Sequence, residues 1–183
     1  MTTDVRYTEM TGNNTTPIDL AGTTARPLYA GEASIHIAAP PEVVHARVAD
    51  ITHMGEYSPE CRHCEWLDGA TGPAVGVRFR GDNKGGLARW SRTCEIVVAD
   101  RGHEFAFRTL PTRFARDSTL WRYRFTPSGD GGTTVTESYA LTDAWLPVRI
   151  GEVVTRRPHK MPGNLRQTLE RIKAAAEGRD AHA

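Results

Sequence analysis

The sequence predicts an α+β domain in which a curved antiparallel sheet of about six to seven strands grips a long C-terminal helix, with two short helices after the first strand. Three observations carry this expectation. Trp121-Arg122-Tyr123-Arg124-Phe125 and Thr133-Thr134-Val135-Thr136-Glu137-Ser138-Tyr139-Ala140-Leu141 alternate with period two and flank a Pro/Gly/Asp turn, a β-hairpin signal. Several further strand-like runs precede that hairpin, separated by Gly-rich turns. Near the C-terminus, Leu165, Leu169, Ile172 and Ala176 recur at helical spacing.

In order along the chain, the first strand is expected over residues 29–37. Pro40-Pro41 ends it and opens a helix over 42–51, because proline suits the first helical turn. Val44, Val48 and Ile51 make one apolar stripe on that helix. A short second helix, residues 52–56, leads to Tyr57-Ser58-Pro59. Strands follow at 64–67 and 77–83, then a turn at Lys84-Gly85-Gly86 and a long strand at 88–99. Arg101-Gly102 turns the chain into a strand at 103–109, and residues 111–117 form a loop before the hairpin. Residues 147–155 are expected as a helical segment that Pro158 and Pro162 interrupt. From Gly163 the helical pattern is strong, and Gly178 stops it. Residues 1–27, rich in Thr, Asn, Gly and Pro, are expected as a flexible arm outside the domain, and 179–183 as a tail.

The 183 residues suffice for one domain with a sizeable core. A net charge of +1 gives no strong pull toward nucleic acid or an anionic membrane. No run is long and apolar enough to span a bilayer, and no signal peptide is visible, so a cytoplasmic location is expected. The three cysteines do not make a disulfide framework.

Strand parity assigns an inward face. It collects Val77, Phe79, Gly81 and Asn83; Trp90, Arg92, Cys94, Ile96 and Val98; Phe105, Phe107 and Thr109; Trp121, Tyr123 and Phe125; and Val135, Glu137, Tyr139 and Leu141. This face is aromatic and aliphatic with three polar intruders, Asn83, Arg92 and Glu137, the pattern of a small-molecule site. Trp66, Trp90, Trp121, Tyr123 and Tyr139 are candidate aromatic walls, although each taken alone also suits a packed core.

Glu137 is the sharpest candidate. An ionised carboxylate on an apolar face must find a partner or take a raised pKa, and a raised pKa suits a proton shuttle near neutrality. The competing reading is a structural ion pair with Arg92, or a bulge that turns Glu137 outward. Arg92 could instead polarise a carbonyl or clamp a carboxylate. Asn83 could bind a ligand oxygen or cap a turn. His53 is a weak candidate base and equally a surface histidine.

Cys61-Arg62-His63-Cys64 invites a metal or redox reading. Zinc needs four ligands and no second Cys pair stands at a suitable spacing, while a thioredoxin-type site needs a βαβ setting that this order lacks. No Gly-rich phosphate loop lies between a strand and a helix, so no metal and no cofactor are expected.

Several phrases carry a family resemblance: Ile37-Ala38-Ala39-Pro40-Pro41-Glu42-Val43-Val44, Val48-Ala49-Asp50-Ile51, Tyr57-Ser58-Pro59-Glu60, Gly76-Val77-Arg78-Phe79-Arg80-Gly81, the Trp121-x-Tyr-x-Phe strand and Gly132-Thr133-Thr134-Val135-Thr136-Glu137. In this order the chain resembles the START-like helix-grip (SRPBCC) superfamily, in its polyketide cyclase/dehydrase and lipid transport branch. The resemblance implies that residues 28–178 form a ligand-binding domain with a deep cavity between sheet and helix, and that Tyr57 rims its mouth. The expected partner is then a hydrophobic small molecule, polyketide- or lipid-like, bound by a monomer or a homodimer. Three functions stay open: a non-catalytic carrier or sensor; a cyclase/dehydratase in which Glu137 moves protons while Arg92 and a Tyr123 or Tyr139 hydroxyl stabilise an enolate; and, as in other START-like domains, a protein-interaction or co-chaperone role.

Overall fold

The computed structural model describes residues 7–8, 27–113, 118–141 and 157–178. Among these residues eight strands form one antiparallel sheet: β1 Tyr7–Thr8, β2 Tyr29–Ile37, β3 Cys61–Trp66, β4 Arg78–Gly85, β5 Ala88–Asp100, β6 Glu104–Thr109, β7 Thr119–Pro127 and β8 Thr133–Leu141. Their order across the sheet is β1-β2-β8-β7-β6-β5-β4-β3. From β3 to β8 the chain is a meander of neighbours, and β2 joins the last strand of that meander. The helices α1 (Pro41–Ala49) and α2 (Met54–Tyr57), with a 3-10 turn at Ile51–His53 between them, carry the chain from β2 to the far edge at β3.

Local chemistry accounts for these elements. Pro40 stands at the N-cap in an extended conformation and Pro41 opens α1. The predicted stripe is real: Val44, Val48 and Ile51 are all fully buried. The Asp50 carboxylate accepts from the Thr52 amide at 3.2 Å and ends α1 by starting the 3-10 turn. At the C-terminus, α3 (Arg157–Ala176) places Met161, Leu165, Leu169 and Ile172 against the concave face of the sheet, and none is more than 3% exposed. It lies over β2 and β8 and touches α1 and α2, so the sheet wraps it.

Several expectations need correction. Tyr7–Thr8, expected in an arm outside the domain, pairs with Ala33 and Glu32 of β2. Without that short strand the edge of β2 would be open there, and two residues are too few to show a period. The C-terminal helix begins at Arg157, before the expected Gly163, and Pro162 lies inside it. A proline this close to the helix start removes one backbone bond but not the burial of Met161 and Leu165, and the burial wins. The helical segment expected at 147–155 lies outside the described residues. Strand β3 starts at Cys61 rather than Cys64, with a register shift between Cys61 and His63. A second shift between Ile96 and Val98 breaks parity in β5. Ala99 therefore pairs with Phe105 and packs on the core, and Val98, expected inward, pairs with Ala106. No described helix is long and apolar enough to cross a membrane.

Candidate functional site

Between the sheet and the α2–β3 segment lies a cavity of about 130 Å³. Its walls come from β3 through β8, and among the described elements α3 lies over β2 and β8. A shallower groove carrying Arg62, Lys84 and Arg89 adjoins it through Asn83 and Trp90. A second small pocket, of about 20 Å³, lies toward Met161 and Leu165 of α3 and shares Trp121 and Glu137 with the main cavity.

Eight of the residues singled out from the sequence line the cavity: Phe79, Asn83, Trp90, Arg92, Phe107, Trp121, Tyr123 and Glu137. An aromatic band crosses the sheet beneath it. Phe79 meets Phe107 edge-on at 5.1 Å, Phe107 stacks on Trp121 at 6.5 Å, and Trp121 tilts against Tyr139 at 5.6 Å. Four expected wall residues lie outside the lining. Phe105 is fully buried between His45 and Phe107. Tyr57 is buried in the core at the end of α2, not at a rim. Trp66 stands edge-on behind Phe79. Tyr139 lies over Gly31 on β2, where an added Cβ would come within 2.9 Å of its ring.

The cavity also has walls that sequence parity missed: Met54, Ser58 and Glu60 from α2 and the segment after it, Cys61 and Cys64 from the bulged β3, and Thr119 on β7. Ser58 and Glu60 sit in a phrase that carried the family resemblance, which was their only visible signal. His53 is not among the lining residues; its Nδ1 pairs with Asp50 at 3.1 Å near the surface.

The antiparallel register of the hairpin places Tyr123 directly opposite Glu137. The Tyr123 hydroxyl donates to Glu137 Oε1 at 2.7 Å, and both residues are no more than 2% exposed. Glu137 Oε2 is buried with no hydrogen-bond partner among the described residues. Burial pushes the Glu137 carboxyl up to about 8, and the Tyr123 hydrogen bond offsets only part of that effect. Burial, together with the carboxylate, holds the Tyr123 phenol well above its ordinary range.

The ion pair weighed for Glu137 and Arg92 is not formed. Arg92 is on β5 and Glu137 on β8, three strand steps apart, roughly 14 Å of sheet at the usual inter-strand spacing. Arg92 Nη2 instead donates to the Leu110 carbonyl at 3.2 Å, and Asn83 Nδ2 donates to the Gly81 carbonyl at 3.1 Å. The cavity is thus apolar in its middle, cationic on the β5 side and acidic at Glu137. Removing the one stabilising donor tests this electrostatic account. Tyr123→Phe should raise the Glu137 pKa further above about 8, read as a shift of the protonated-carboxyl infrared band titration. An unchanged or lowered midpoint would contradict it.

The sequence profile described as polyketide cyclase / dehydrase and lipid transport matches residues 30–177. The chain belongs to this family. Among solved structures, a polyketide-cyclase-like protein of Corynebacterium glutamicum is 31% identical, with a TM-score of 0.52 over 84% of this chain and 97% of that one. The Zhui aromatase/cyclase from Streptomyces sp. R1128 is 18% identical, with a TM-score of 0.64 over 84% and 96% of the two chains. A protein of Thermus thermophilus is 19% identical, with a TM-score of 0.66 over 83% and 99%. The last two likenesses establish the shared helix-grip fold of the family and nothing about chemistry. No protein of curated function matches the sequence significantly.

Proposed function

We propose that the cavity binds an aromatic or polyketide-like small molecule and that Glu137 transfers protons in an aldol-type cyclisation and dehydration. The observation that carries this reading is the buried carboxyl at the cavity wall, with one oxygen held by Tyr123 and the other free of protein partners among the described residues. As carboxylate, Glu137 takes a proton from a carbon flanked by carbonyls, and the enolate attacks a second carbonyl. The carboxyl then returns that proton to the new alkoxide; the regenerated carboxylate takes the remaining proton from the same carbon and delivers it to the hydroxyl, which leaves as water as the C=C bond forms. Tyr123 keeps the carboxyl oriented and can share its proton with an enolate oxygen. Family membership and the fold shared with an aromatase/cyclase support this assignment.

The test is cyclisation of a synthetic aryl poly-β-ketone. The wild-type protein should accelerate ring closure, with a rate that rises with pH through about 8 as Glu137 ionises. Glu137→Gln should remove the acceleration and leave binding of the ketone largely intact. Acceleration that survives in Glu137→Gln would sink the proton-transfer role.

A carrier or sensor without turnover is the second reading, and cavity size favours it. Pockets for drug-sized ligands span roughly 300–1,000 Å³, and a cavity of about 150 Å³ accepts a single benzene ring. The 130 Å³ found here fits one ring, not a folded chain. Tight binding of a monocyclic ligand with no acceleration by the wild-type protein would select this reading.

A further inference from the structure

We propose that Cys61 and Cys64 are a reversible dithiol/disulfide couple built into the wall of the cavity. The inference needs the cavity geometry only, not turnover or any particular ligand.

The key observation is that these two sulfurs should not meet. Residues three apart on a regular strand point to opposite faces of a sheet. Here Cys61 pairs with Asn83, His63 with Asp82 and Cys64 with Gly81, so Arg62 is the extra residue of a bulge. The bulge resets parity and turns both thiols to the same side, with their sulfurs 3.4 Å apart. Both are buried, and both line the cavity. Opposite Cys64 stands Gly81, where even a Cβ would come within 3.4 Å of the Cys64 sulfur, so the strand partner carries no side chain in the space that sulfur uses. Closing a disulfide requires the sulfurs to approach to about 2.05 Å, a movement of roughly 1.4 Å. The absence of a βαβ setting argued against a thioredoxin-type site, but a bulged strand brings two thiols together by another route.

The two thiols are chemically unequal. A hydrogen bond from Cys64 holds the Cys61 thiol below its ordinary range, and the same contact together with burial raises Cys64. Cys61 is therefore the attacking sulfur. The oxidant is a hydroperoxide small enough to enter the cavity, hydrogen peroxide being the simplest. The Cys61 thiolate attacks one peroxide oxygen; an S–O bond forms, the O–O bond breaks, and hydroxide leaves as water after taking a proton. Cys64 then attacks the sulfenic sulfur; the S–S bond forms, the S–O bond breaks, and a second water departs with the Cys64 proton. Two thiols are oxidised and one peroxide is reduced to two waters. Cys94 also lines the cavity, but burial pushes its thiol up to about 12, so it serves as an internal control.

The experiment treats the folded full-length chain with a small excess of hydrogen peroxide, quenches it, denatures it and blocks free thiols with N-ethylmaleimide. Intact mass should show the loss of two hydrogens and a single maleimide adduct, on Cys94, where the reduced chain takes three; dithiothreitol should restore all three adducts. Cys94→Ser should still lose two hydrogens, and Cys64→Ser should gain oxygen on Cys61 instead. Three adducts after oxidation, or oxygen gain without loss of hydrogen in the wild type, would overturn the couple. If Cys64→Ser does not fold, peptide mapping of the oxidised wild type decides in its place: a Cys61–Cys64 cross-link supports the couple, and a cross-link involving Cys94 overturns it. A last measurement concerns the cavity. The affinity of a one-ring probe, phenol, should differ several-fold between dithiol and disulfide forms, because closing the disulfide moves both sulfurs in the cavity wall, and equal affinities would overturn the placement of the couple in that wall.

Discussion

Glu137→Gln should remove most of the loss of stability that the wild type undergoes between about pH 5 and 9. In the folded state the carboxyl titrates near 8, against an ordinary value of 4.5, because it is fully buried, and the Tyr123 hydrogen bond, its one donor among the described residues, offsets only part of that. Between those two values the folded chain holds a proton that the unfolded chain has released. Stability therefore falls as pH rises through this window, and the loss is complete above the folded-state value. At roughly 1.4 kcal/mol per pKa unit the loss is on the order of 4–5 kcal/mol. That is a large part of the roughly 5–15 kcal/mol that holds a typical domain together. Glutamine keeps an acceptor for the Tyr123 hydroxyl and removes the charge, but it buries an amide with an unmet donor, which costs about 1–3 kcal/mol. The two urea-stability curves should cross, with the variant equal or weaker at pH 5 and stronger at pH 9. Parallel curves would mean that Glu137 is not buried as described. The same strain is what makes the residue useful: a group held at an unfavourable pKa exchanges its proton near neutrality, and the fold bears the cost.

Phe105→Ala should unfold the protein far more readily than Trp121→Ala, while only the second should abolish binding of a one-ring ligand. Phe105 is fully buried, meets His45 edge-on at 6.3 Å and lies 5.9 Å from Phe107. Truncating such a residue removes transfer energy and leaves a void, about 3–5 kcal/mol in comparable cores. Trp121 is only partly buried, since it forms a wall between the cavity and the small pocket toward α3. Its loss enlarges an existing space rather than opening a new one. Denaturant midpoints and the affinity for phenol measured on both variants separate the two roles. A small stability loss in Phe105→Ala together with lost phenol binding would place Phe105 in the site after all.

These two variants also mark where the sequence was legible. Parity placed Phe105, Phe107, Trp121, Tyr123 and Glu137 on one face, and that is correct, because the hairpin turn and strict alternation leave no other register. Parity does not distinguish a residue that faces a packed core from one that faces a cavity. Phe105 and Phe107 have the same spacing, yet only Phe107 lines the hollow. The Tyr123–Glu137 pair is readable from the hairpin, since the two are direct cross-strand neighbours. The Glu137–Arg92 pair was a false lead, because sharing a face says nothing about how many strands lie between.

By itself, the order of apolar periods along the chain determined the fold class, the inward face and the single carboxylate on it, because burial of alternating and helical stripes admits few arrangements. Tertiary structure alone decided the rest. Bulges in β3 and β5 reversed the facing of Cys61 and of Val98, since one inserted residue flips every side chain beyond it and leaves no trace in composition. The size of the hollow, too, is set by all the packed side chains together and by no local stretch of sequence.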